Sequence, residues 1–180
     1  MRERLTALLA ERFSARKFVV VANREPLVHT RDPSGRIREL HPASGMSTAL
    51  GPIVDACHGV WVAHGGGSAD FDVVDSRSGI PWPDKMSAGR LRRVRLSPEV
   101  EAGYYYGLSN EGLWPLCHIA YTAPLFRHEH WEKYVQANRA FADAVLDEIG
   151  SEPAVVFVQD YHLGLLPRLL RKARPDLLLA

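Results

Sequence analysis

Charge of one sign is not in excess in this 180-residue sequence: 22 Lys and Arg stand against 21 Asp and Glu, a formal net charge of +1. Such a balance creates no field suited to nucleic acid or to an anionic membrane, so an anionic ligand has to be caught by a local site. Cysteine is scarce as well. Cys57 and Cys117 lie far apart, without the paired spacing of a zinc site or the density of a disulfide scaffold, and read as buried free thiols. Long apolar runs are missing. The opening Met1-Arg2-Glu3-Arg4-Leu5 alternates charge with apolar residues, which fits neither a signal peptide nor a membrane span and leads to a cytoplasmic expectation. Internal repeats and low-complexity tracts are also lacking. What is there is a composition of 46% hydrophobic and 24% charged residues, enough to bury the core of one soluble domain.

Periodicity sets out the order of elements. Leu5, Leu8, Leu9 and Phe13 recur at helical spacing, and Phe18-Val19-Val20-Val21-Ala22 is a short, β-branched run of the kind that forms a buried parallel strand. A polar stretch from Glu25 to Pro42 precedes a helix over about Ser44 to Cys57 and a strand at Val60-Trp61-Val62-Ala63. Gly65 to Ser87 reads as loops around one or two short strands, with Leu91 to Leu96 alternating like a half-exposed strand. Trp131, Tyr134, Val135, Asn138, Phe141, Ala142, Val145, Leu146 and Ile149 share one face of a long helix. A strand at Ala154 to Val158, a helix from Leu163 to Lys172 and the opening of a strand at Leu177 to Ala180 complete the chain. The succession predicts an α/β fold, a parallel sheet flanked by helices, and the apolar last element suggests a truncated product or fragment.

Ligands of parallel sheets collect beyond the carboxyl ends of the strands. Three segments stand there: Asn23-Arg24, His64-Gly65-Gly66-Gly67 and Gln159-Asp160-Tyr161-His162. Arg24 offers a five-donor fork for a phosphate or carboxylate, or a surface salt bridge. Asp160 with His162 could hydrogen-bond sugar hydroxyls or serve acid-base work, or Asp160 could cap the helix that follows. Tyr104-Tyr105-Tyr106 with Trp114, near Ser109 and Asn110, suits stacking against a sugar ring, although part of such a cluster belongs to the core. Three patterns look chemical and have blander readings. Asp70-Phe71-Asp72 matches a two-carboxylate metal pattern that polar loops produce by chance. His128 and His130 point to different sides of a helix. Gly65-Gly66-Gly67 lacks the fingerprint of a dinucleotide cradle. No metal site is expected.

Four segments, in order, resemble the trehalose-6-phosphate synthase family: Val19 to Arg24 its opening strand, Tyr105-Tyr106-Gly107-Leu108-Ser109-Asn110 through His118 its Tyr-rich block ending in Leu-Trp-Pro, Trp131 to Ala144 its Trp-to-Ala helix, and Gln159-Asp160-Tyr161-His162-Leu163 its His-Asp-Tyr-His-Leu. The resemblance implies the N-terminal, acceptor-side Rossmann-like domain of a two-domain GT-B glycosyltransferase, incomplete over residues 1–180, with the donor-nucleotide half beyond the chain. It implies retaining glucosyl transfer from UDP-glucose to glucose 6-phosphate, with no essential metal and no cofactor. Carried over by position, Arg24 binds the acceptor phosphate, Tyr105 and Trp114 line the acceptor pocket, Asp160 is the catalytic-centre residue on the sugar hydroxyls, and Ser44-Gly45 is the donor-side turn. Three positions depart from the family pattern: Ser44 replaces a glycine, His64-Gly65-Gly66 replaces Trp-Ser-Gly, and Gln159 replaces a histidine. They leave open a related synthase with another acceptor such as glycerol 3-phosphate, or a non-catalytic sugar-phosphate-binding or regulatory half. The 180 residues alone are expected to show little or no transferase activity, and apolar surface at the docking face makes self-association into a homo-oligomer a further expectation.

Overall fold

Consecutive valines build the centre of the molecule. In the computed structural model, which describes residues 16–83, 86 and 88–180 together with 4, 7–8 and 11–12, β1 (Lys17–Val21) buries Val19, Val20 and Val21 completely. Apolar residues on successive positions suit a strand covered on both faces. It pairs in parallel with β4 (Val60–His64) on one side and β7 (Ala154–Val158) on the other, with Val21 opposite both Val62 and Val158. With β5 (Gly79–Pro81), β6 (Arg90–Val94) and β8 (Leu178–Leu179), the sheet has the order β5-β6-β4-β1-β7-β8, parallel except for β5.

Helices cover the two faces. On one, α1 (Gly45–Ala56) packs Val54 with Phe18, Val20, Trp61, Trp82 and Leu91. On the other lie a helical segment built of α2 (Pro98–Glu101), a π-helix (Ala102–Leu113) and α3 (Trp114–Cys117), then α4 (His128–Ile149) and α5 (Leu166–Ala173). Tyr134, Ala137, Phe141, Val145 and Ile149 carry α4 onto Val19, Val21 and Val62, spaced three or four apart as an amphipathic helix requires. Gly150, at φ +54, ends α4 in a conformation that favours glycine.

Several elements depart from the sequence reading. The polar stretch after Glu25 contains an antiparallel hairpin, β2 (Val28–Arg31) with β3 (Ile37–Leu40); β3 is exposed throughout, so it carries no apolar alternation. The helix expected from Leu163 starts at Leu166, after a 3₁₀ turn at Tyr161–Leu163. Of the N-terminal helix, Leu8 is described, helical and half exposed; Leu5, Leu9 and Phe13 lie outside the described residues. Cys57 is half-buried and Cys117, in the one-turn helix α3, is exposed, so the expectation of two buried thiols fails for Cys117. Among the described residues, no helix is long and apolar enough to cross a membrane.

Candidate functional site

The strand order reverses at β1. The chain moves outward from β1 through β4 and β6 on one side and through β7 and β8 on the other, which opens a crevice beyond the carboxyl ends of β1 and β7. Gln159 N–H donates to the Val21 carbonyl at 2.8 Å, so the two exits leave the sheet side by side and place Arg24 near Asp160. A cleft of about 530 Å³ fills this crevice, lined by Arg24, Tyr105, Asn110, Trp114, His118, Asp160, Tyr161 and His162.

Arg24 stands on an anchored backbone. Its carbonyl accepts from Trp61 Nε1 at 3.2 Å, the Asn23 carbonyl accepts from His64 N–H at 3.2 Å, and Asn23 Oδ1 accepts from the buried Tyr104 hydroxyl at 3.0 Å. The side chain is exposed, and its guanidinium finds no hydrogen-bond or ion-pair partner among the described residues. A fixed root with five available donors suits capture of a phosphate or carboxylate.

The π-helix supplies the aromatic wall. Its i→i+5 bonding brings Tyr105 and Asn110 one turn apart onto the cleft, and Trp114 follows at the start of α3. Gly107 lets this segment approach α4, because a Cβ there would collide with the His130 ring. The three tyrosines separate: Tyr104 is wholly buried, Tyr105 lines the cleft, and Tyr106 faces solvent. Trp114 stacks on His118, with ring centroids 4.8 Å apart, and His118 Nδ1 is 2.9 Å from the Trp114 carbonyl. The i,i+4 spacing of these two rings was the available sequence signal for His118.

Asp160 holds an unusual backbone, φ +76 and ψ 160, which non-glycine residues rarely adopt and which clusters at functional sites. One carboxylate oxygen caps the 3₁₀ turn by accepting from Tyr161 N–H at 2.8 Å; the other is 3.2 Å from His162 Nδ1. The capping reading therefore holds for one oxygen, and the other is turned toward His162. Burial pushes His162 below the ordinary histidine range, with Arg24 adding to the effect and Asp160 opposing it. Burial, then Asp160, pushes the Tyr161 phenol up to about 12.

Beside the cleft lies a second polar group of opposite character. Arg93 on β6 is 1% exposed, and its guanidinium donates to Glu25 Oε2 (2.9 Å), the Asp70 and Leu27 carbonyls (2.7 and 2.9 Å) and His29 Nδ1 (2.8 Å), with Asp70 Oδ1 at 3.0 Å. Asp70 accepts from the N–H groups of His29 and Gly67, and Glu25 from that of Gly66. Burial, then the Asp70 carboxylate, raises Glu25 to about 9, so it carries a proton at neutral pH. Burial, then Arg93, holds His29 below its ordinary range. The network ties the β1 exit, the hairpin and the Gly65 to Gly67 loop to β6.

Of the residues singled out from sequence, Arg24, Tyr105, Trp114 and Asp160 meet in the cleft. Ser44 and Gly45 do not line it. Ser44 caps α1, its Oγ accepting from Ser47 N–H at 3.5 Å, and a Cβ at the exposed Gly45 would meet nothing within 4 Å. Asp70 of the two-carboxylate pattern is wholly buried in the Arg93 network, and Asp72 pairs with Arg31 at 3.0 Å. The described residues hold no group of three or more His, Cys, Asp or Glu arranged for a metal ion.

A model of glycosyltransferase family 20 matches residues 16–180. The chain is 42% identical, over 160 residues, to a trehalose-6-phosphate synthase of Mycolicibacterium gilvum, a match that covers 89% of this chain and 31% of the relative. Its fold is that of the α,α-trehalose-phosphate synthase (UDP-forming) from Burkholderia vietnamiensis (TM-score 0.67, 21% identity, 90% of this chain and 32% of that one). It is likewise similar to the Burkholderia xenovorans synthase solved in complex with glucose 6-phosphate (TM-score 0.66, 21% identity, 91% and 32%). The chain spans about a third of the length of these relatives. It belongs to glycosyltransferase family 20.

Proposed function

We propose, from membership of this family, that residues 1–180 are the N-terminal acceptor-side domain of a trehalose-6-phosphate synthase-type glycosyltransferase, and that the cleft binds glucose 6-phosphate to receive glucose from UDP-glucose. The observation that carries this reading is the meeting of one unpaired guanidinium, two aromatic walls and one carboxylate in a single cleft at the strand-order reversal. Arg24 takes the phosphate as a bidentate ligand. Tyr105 and Trp114 cover the apolar faces of the sugar ring, and Asp160 accepts from its hydroxyls, holding the attacking one toward the donor. The attacking hydroxyl oxygen bonds the donor's anomeric carbon as the carbon–oxygen bond to UDP breaks, its proton passes to the departing diphosphate, and the configuration is retained.

Among the described residues Arg24 is the one Arg or Lys that lines the cleft, and in this reading the acceptor phosphate takes it up. A leaving diphosphate needs further cations, so the 180 residues alone bind acceptor without releasing UDP. That single cation also favours a second reading, a half that binds sugar phosphate without turnover. A net charge of +1 points to small-molecule partners rather than nucleic acid. A cytoplasmic location and self-association belong to the same reading, the latter supported by the exposed Leu116, Ile119 and Tyr121.

Calorimetric titration with glucose 6-phosphate, glucose and glycerol 3-phosphate tests the acceptor, and a UDP-release assay with UDP-glucose tests turnover. The reading expects saturable binding that is tightest for glucose 6-phosphate and no UDP release. Tighter binding of glycerol 3-phosphate would replace the acceptor, and UDP release by the 180 residues would overturn the binding-only assignment.

A further inference from the structure

We propose that His162 is a positioning residue of the cleft, whose imidazole presents Nδ1–H to Asp160 and fixes the direction of that carboxylate. The inference rests on the acceptor reading for its purpose, and on geometry for its existence.

The ring is buried and packed among aromatic neighbours. It is 8% exposed, stacks with Tyr105 (centroids 5.3 Å, 15° between planes) and Tyr161 (4.3 Å, 26°), and meets the edge of Tyr104 at 6.4 Å. Its backbone carbonyl accepts from Asn138 Nδ2 at 3.2 Å, and Asn138, wholly buried on α4, also accepts from Leu165 N–H. The turn is therefore bolted to the core helix on both sides of His162.

Both ring nitrogens are buried and neither has an aligned hydrogen-bond partner. Leaving such atoms unpaired in the interior is unfavourable. Nδ1 has the Asp160 Oδ2 atom at 3.2 Å, close enough for a bond and lacking only alignment. The Asp160 side chain is half exposed, whereas the ring is buried between Tyr105 and Tyr161. The ring thus selects the carboxylate's direction. Hydrogen bonds of this type are loose in empty sites and tighten when a ligand arrives.

Two further features narrow the assignment. Asp160 is held in its left-handed backbone with its other oxygen on Tyr161 N–H, so fixing Oδ2 leaves no free torsion in the group. Burial and the nearby Arg24 keep the imidazole uncharged, against the opposing pull of Asp160, so the ring carries one proton, and a proton on Nδ1 is the one that a carboxylate can accept.

Long-range proton–nitrogen NMR of the free chain reads the tautomer directly. The proposal expects His162 as Nδ1–H in the wild type and a change toward Nε2–H in Asp160→Gly, a substitution suited to that backbone. An Nε2–H ring in the wild type, or a tautomer indifferent to Asp160→Gly, overturns it. His162→Phe keeps an aromatic ring for stacking and removes the nitrogens. It should weaken glucose 6-phosphate binding about 5- to 10-fold in the wild-type background and hardly at all in Asp160→Gly, because the two residues act as a unit. Equal losses in both backgrounds would mean a packing role only and would also overturn the proposal. Absence of glucose 6-phosphate binding in the wild type would sink the acceptor reading and leave the tautomer result as the decision on His162.

Discussion

Arg24 and Glu25 are adjacent in sequence and begin two opposite kinds of polar site. Arg24 turns outward with its guanidinium unpartnered among the described residues, whereas Glu25 turns inward to Arg93, which is ion-paired and hydrogen-bonded on every side. A buried charge is tolerated only when it is paired and bonded, and a group so bonded has nothing left for a ligand. Satisfaction therefore separates charge that holds the fold from charge left available to a ligand more sharply than residue type does. The Arg93 network fixes the loops, and the cleft keeps its donors free.

Substitutions on each side should fail differently. The largest effect belongs to Arg93→Met, which strands Asp70 and Glu25 in the interior: a loss of about 3–5 kcal/mol of stability by chemical denaturation. A loss below about 1 kcal/mol would deny the network its structural role. Arg24→Ala should leave stability within about 0.5 kcal/mol of wild type and lower glucose 6-phosphate affinity about 10- to 100-fold by calorimetry; unchanged affinity removes Arg24 from the phosphate site.

Glu25→Gln acts through pH. The Glu25 carboxyl is raised from 4.5 to about 9, so the folded state holds a proton that the unfolded chain releases. The stability it contributes is fully present below about pH 4.5 and is lost as pH rises through about 9. Across that window the stability difference between wild type and Glu25→Gln should shift against wild type as pH rises, whatever slope the buried histidines add to both, and parallel denaturation profiles would contradict the shift. The smallest effect is expected from Asp160→Gly. Relief of backbone strain offsets the lost Tyr161 N–H bond, so the melting temperature should hold or rise by about 2–4 °C while acceptor binding weakens. A lower melting temperature would mean that the backbone there is not strained.

The central strands were legible because burial on both faces writes itself as unbroken β-branched runs, at Val19 to Val21 and again at Val155 and Val156, and α4 was legible through its 3.6-residue stripe. The hairpin was not, since every residue of Ile37–Leu40 faces solvent. The π-helix escaped for a different reason: i→i+5 bonding breaks the spacing by which helices are recognised. In the cleft, Arg24, Tyr105, Trp114 and Asp160 came from motif order. Asn110 was read as a polar neighbour of the aromatic cluster and lines the cleft, whereas His118 carried no role until the Trp114 stack placed it. The Arg93 network was illegible because its bonds join positions 68 and 64 residues apart, and Asp70 had instead suggested a metal pattern.

The central claim is that the strand-order reversal holds a sugar-phosphate cleft with Arg24 as its anion ligand. Backbone amide NMR of the chain during titration with glucose 6-phosphate tests it most directly. The account predicts saturable shifts at Arg24, Tyr105, Trp114 and Asp160, with those at the last three needing about 10- to 100-fold more ligand in Arg24→Ala and the Arg93 network unmoved. Shifts confined to another surface, or an unchanged response in Arg24→Ala, would contradict it.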